Sequence, residues 1–231
     1  MHPRHIFPLF LALTLLSATS SLRASVTIKR EPPVVEHKIF DPAHPPKAMP
    51  HLSGDEAAVT QAVFNCSLNT TYHVDEQIGG DGGCRSTIRI RAIQIDLQAH
   101  ITIWLPIDAK EKLKAHEEGH RKITERIYQE RAENAARAAA AKTDGKQFTG
   151  KGKDCDQAVN AAMGQADTLL CQTYLKDTGG VARRIGDLYD DLTRHGTNKL
   201  PEDQAIRQAL ERYQKETTDK TPAPPRESDQ K

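Results

Sequence analysis

The chain has 231 residues, of which 27% are charged, with 32 Lys and Arg set against 31 Asp and Glu for a formal net charge of +1. That balance leaves no basic footprint for a nucleic-acid surface. The length suffices for one domain with a sizeable core and does not call for two.

The first 24 residues, MHPRHIFPLFLALTLLSATSSLRA, join a basic start to an apolar run from Ile6 to Leu16 and then to small residues at Ala18, Ser20 and Ala24. A run of about eleven residues is too short to span a bilayer and reads as the core of a signal peptide. The expectation is a protein exported to the periplasm or secreted, with no stable membrane insertion after cleavage. Cys66, Cys84, Cys155 and Cys171 then make an even set for an oxidising compartment, where two disulfides are expected. Their spacing leaves all three connectivities open, from pairing of neighbours to a crossed scheme tying the N-terminal part to C-terminal helices.

Residues 25 to 54 form the next unit. Six prolines between Glu31 and Pro50 hold the chain extended, as in a linker or an arm lying over the domain. The main domain is expected over 55–216. Within it, the apolar residues from Ile88 to Ile103 recur mostly at period two, which predicts two adjacent strands broken near Gln98 to His100 and ended by Pro106. Asp108 with Glu111 three residues on suggests a capping box and a helix running to about Lys142. Further helices are expected at 155–176, 181–194 and 202–216, and residues 217–231 are polar enough to predict a disordered tail.

The helix after Pro106 carries HEEGH, residues 116–120. At 100° per residue, Leu113, His116, His120, Ile123 and Ile127 fall within about 80° of arc, so both histidines lie in the apolar stripe with Glu117 on its flank. Two imidazoles at i, i+4 can converge on one zinc ion, and the adjacent glutamate can serve as general base toward a water. The same residues also read as core histidines satisfied by hydrogen bonds, since a five-residue motif with three fixed positions arises by chance. A catalytic zinc site needs a third protein ligand. Asp190 and His195, in LYDDLTRHG (residues 188–196), are the sources that stand out, and Gly196 there is also a natural helix cap.

The order of leader, cysteine, strands ending in ITIWLP, KAHEEGHRKI, a further cysteine and YDDLTRHG resembles a bacterial family of predicted secreted zinc-dependent proteases, over roughly residues 55 to 198. The resemblance implies an α+β, zincin-like fold: a small twisted antiparallel sheet packed on a long HExxH helix, with further C-terminal helices. It implies that His116 and His120 bind Zn2+, that Glu117 is the catalytic base, and that His195, with Asp190 as the alternative, completes the site. By the same analogy a peptide or protein substrate would pair with an edge strand at Ile101 to Leu105. Tyr174 and Tyr189 are candidate oxyanion donors. The alternatives from other classes are a non-catalytic periplasmic zinc-binding protein and a helical interaction protein docking through the Ala-rich helix.

Overall fold

The computed structural model describes residues 23–52, 56–80 and 82–219. Residues 1–22, most of the expected leader, and 220–231, most of the expected tail, lie outside the described residues. The chain builds five strands, β1 (Ser25–Arg30), β2 (Val34–Phe40), β3 (Val59–Gly80), β4 (Gly83–Pro106) and β5 (Gln147–Gly152), with four helices, α1 (Glu111–Ala141), α2 (Cys155–Asp177), α3 (Gly179–Thr193) and α4 (Glu202–Asp219). The class is α+β, as the sequence predicts.

One strand organises the sheet. The alternation read as two strands is a single 24-residue β4, with no break at Gln98 to His100. The change of phase sits at Arg91, which is the extra residue where Thr71 pairs with Ala92 and Tyr72 with Ile90. Absorbing one residue as a bulge returns Ile88, Ile90, Ile93, Ile95 and Leu97 to one buried face.

The sheet is not the antiparallel one expected. β3 and β5 run antiparallel to β4, but β1 and β2 lie parallel to it, Ser25–Arg30 against Ala92–Leu97 and Val34–Phe40 against His100–Pro106. The proline-rich stretch read as an arm thus contributes strands. Pro32 and Pro33 fall between β1 and β2, where no ladder hydrogen bond is lost.

α1 lies across this sheet through a stripe of Ile123, Ile127, Tyr128 and alanines at 132, 135, 136, 139 and 140, all buried. The alanines let the helix approach closely, and the Tyr128 hydroxyl reaches the carbonyls of Leu97 and Glu31 at 2.9 and 2.8 Å. The helix does not start at Asp108. A turn closed by the Ala109 N–H on the Pro106 carbonyl takes up residues 107–109, so Lys110 becomes the N-cap, without a side-chain bond.

The disulfides pair Cys66 with Cys171 and Cys84 with Cys155. The links are nested, the second inside the first, and like a crossed scheme they tie the N-terminal part to a C-terminal helix: β4 is joined to the start of α2 and β3 to its later turns. No helix among the described residues is long and apolar enough to cross a membrane.

Candidate metal centre

HEEGH sits two turns into α1, where the helix passes under the start of β3 and meets the end of α3. His116 and Glu117 are each 4% exposed, although both are polar, which calls for partners. The partners converge. The Nε2 atoms of His116 and His120 are 3.3 Å apart, and Asp190 Oδ1 lies 3.2 Å from the first and 2.9 Å from the second. These three residues form the one group of His, Cys, Asp or Glu among the described residues that could hold a metal ion. Donors about 2.0–2.1 Å from a tetrahedral ion sit about 3.3 Å from one another. The observed separations suit that geometry.

The packing around the group fixes its rings. Tyr189 stacks on His116 with centroids 5.0 Å apart and 11° between planes, and meets His120 edge-on at 88°. Gly119 is what admits it, because a Cβ there would stand 2.2 Å from the Tyr189 hydroxyl oxygen. The Thr193 hydroxyl donates to the Tyr189 carbonyl at 2.7 Å, leaving its oxygen to face His116 Nδ1 at 3.4 Å. A proton on Nδ1 leaves Nε2 as the free ligating nitrogen.

Asp190 belongs to α3, one turn beyond Gly186 and one residue after Tyr189. Burial alone would raise its carboxyl, but hydrogen bonds from His116 and His120 hold it well below the usual carboxylate range. Burial would likewise lower His120, and its bond to Asp190 with the Asp190 and Glu117 charges leaves it above its ordinary value. Burial pushes Glu117 up, against the opposing His120 charge and a hydrogen bond from Thr60. Thr60 Oγ1, on β3, stands 2.7 Å from Glu117 Oε2. Thr60 is a site residue that the sequence reading missed, and no local motif marks it, since β3 and α1 come together only through the sheet.

His195 does not join the three-residue group. α3 ends at Thr193, and Arg194 and His195 both take left-handed backbone at φ 50, followed by Gly196 at φ 75. The left-handed cap is therefore Arg194, not Gly196. The turn packs Gly196 against His116, where a Cβ would be 2.9 Å from the His116 Cβ, and leaves His195 at the rim with Nδ1 3.7 Å from Asp190 Oδ1 and 54% of the side chain exposed.

A cleft of about 490 Å³ opens over the group, lined by residues 56–60 and 62–64 of the β3 strand and its approach, by α1, by Leu175 of α2 and by the length of α3. Two expectations are corrected here. Ile101–Leu105 is no sheet edge, because β4 has β2 on one side and β3 on the other; among the described residues the open edge beside the cleft is β3. Tyr174 and Tyr189 are fully buried and do not line the cleft, so neither faces a reacting oxygen. Arg121 points away, paired with Glu118 and Glu125.

No family model, no curated protein and no solved structure matches this chain.

Proposed function

We propose that the chain is an exported zinc-dependent peptidase in which His116, His120 and Asp190 hold the ion and Glu117 is the catalytic base. The observation that carries this reading is the convergence of three donor atoms at separations of 2.9–3.3 Å, with a buried glutamate on the residue next to the first histidine. Two imidazoles and one carboxylate suit zinc, and three protein ligands leave a coordination position open, as catalytic sites do. The leader-like N-terminus and the two disulfides favour an oxidising compartment.

Zinc bound there would polarise the scissile carbonyl and bring the pKa of a water near 7. The chain's own groups do the rest. Glu117, oriented by the Thr60 hydroxyl, accepts the proton of the attacking water and returns it to the leaving amine. Its burial raises its basicity, which suits a group that must take up a proton and give it back near neutral pH. Thr193 and Asp190 set the ring orientations of His116 and His120. The free edge of β3 offers backbone groups to an extended peptide.

The docking reading of the Ala-rich helix is left only the face of Glu133, Asn134, Arg137, Ala138 and Ala141, because its alanines at 132, 135, 136, 139 and 140 are buried.

The test is metal content and peptide hydrolysis on matched variants. About one zinc per chain is expected in the wild type, lost in His116→Ala, His120→Ala and Asp190→Ala and kept in His195→Ala. Glu117→Gln should keep the zinc and lose about 10²–10⁴-fold in hydrolysis. Wild-type hydrolysis in the Glu117→Gln protein would refute the mechanism.

A further inference from the structure

The cleft extends well beyond the metal group, and its far end has a different chemistry. It is walled by β3 and α3, which run along it in opposite senses. Thr60 on β3 and Asp190 on α3 stand at the metal end, whereas Phe64 and Gly179 meet at the other, where a Cβ on Gly179 would lie 3.4 Å from the Phe64 ring. Four strand residues span about 13 Å and eleven helical residues about 16 Å. That length takes an extended segment of four to five residues.

The far end is apolar. Ala62, Phe64 and Leu175 line it beside the glycine pair Gly179 and Gly180, and the nearest charged lining residue, Arg183, lies one turn further along α3 toward the metal. Leu175 is 39% exposed, which puts one of the chain's exposed large hydrophobics in this cleft. Gly180 leaves space there: a Cβ on it would touch only the Leu175 carbonyl oxygen, at 3.6 Å.

Resting on the peptidase reading, we propose that this end is a specificity subsite for one bulky apolar side chain, three to four residues from the cleaved bond, of a peptide lying extended between β3 and α3. Gly180 sets its depth. The occupant is a peptide because the subsite is continuous with the metal centre and with the unpaired strand edge of β3.

The experiment has two arms. In the first, the zinc-loaded protein cleaves fluorogenic peptides in which each position is varied in turn. Leu, Phe or Met at one position three to four residues from the cut should exceed Gly or Asp by about ten- to hundredfold in kcat/KM. Gly180→Leu should move the preference at that position alone toward Ala. In the second, the same peptides bind to Glu117→Gln protein, read by fluorescence anisotropy without turnover. Binding that favours the apolar residue and weakens in a Gly180→Leu background supports the subsite even if the wild type cleaves nothing, an outcome that would count against the peptidase reading alone. Cleavage or binding indifferent to that position, unchanged by Gly180→Leu, or no peptide binding at all, overturns it.

Discussion

At the scale of single residues, the site depends on contacts that leave no room for substitution. Gly119 faces Tyr189, whose ring is fully buried and stacked on His116. Gly119→Ala must therefore push either the phenol or the helix away, and overpacking of this kind costs about 1–3 kcal/mol. The expected result is that loss of stability in urea titration together with reduced metal occupancy, because the displaced ring is the one that seats both histidines. Titration behaviour follows from the same contacts. In the metal-free protein the lowered Asp190 contributes stability above its unfolded value near 3.8, lost as pH falls through the folded pKa. The raised His120 contributes stability in full below 6.5, lost as pH rises through its folded pKa, and the raised Glu117 opposes folding above its ordinary value of 4.5. Metal-free protein is thus expected to be most stable in mild acid, between about pH 4 and 6.5. The affinity of the proposed zinc site is expected to run the other way, since protons would compete with the metal for His120 and Asp190. Thermal melts with and without chelator across this range check both signs. A metal-free protein that is most stable above pH 8 would contradict them.

At the scale of elements, the parts of the sequence with a short physical period were legible. The stripe holding His116 and His120 follows from residues at i, i+4 and i+7, and the helices after Cys155 fall close to their expected limits because apolar spacing and turn residues bound them. What needs more than one element was not legible. The parallel pairing of β1 and β2 with β4 joins residues 66 or 67 apart in sequence, and proline content alone reads as an arm. Whether Asp190 or His195 faces the histidines turns on where α3 stops, and Arg194 adopting left-handed backbone is a poor fit to expectation when Gly196 lies two residues on. Helical periodicity held a usable signal, because Asp190 is four residues from Gly186, whose missing side chain opens the way to His120. The cysteines were legible as to number and not as to partner. Their actual pairing closes loops with sequence separations of 105 and 71. Replacing Cys66 and Cys171 together by serine is expected to cost about 2–5 kcal/mol, read by denaturant unfolding under non-reducing conditions.

At the scale of the whole molecule, the cross-links divide the helices into two groups. α2 is tied covalently to the sheet through both disulfides, whereas α3 carries no cysteine and is held to α1 by packing and by the His116, His120 and Asp190 group. A bound ion would be the cross-link that α3 otherwise lacks, and it would stabilise the folded form by about 4 kcal/mol at a thousandfold excess over its dissociation constant. Local opening is expected where tethering is weakest. Chelation should therefore raise amide exchange in α3 and in the turn from Arg194 to Asn198, with α4 following because it packs on α3, while α2 and β4 stay protected. Reduction of the disulfides with zinc present should give the reverse order, loosening α2 first. Hydrogen exchange read peptide by peptide distinguishes the two, and exchange in α3 that ignores chelation would mean that packing alone secures it. The division also bears on the cleft, since α3 is one of its walls. The wall that positions Asp190 at the metal end and Gly180 at the apolar end is the wall a bound ion would hold in place, so on the peptidase proposal loss of metal should weaken peptide binding at both ends together.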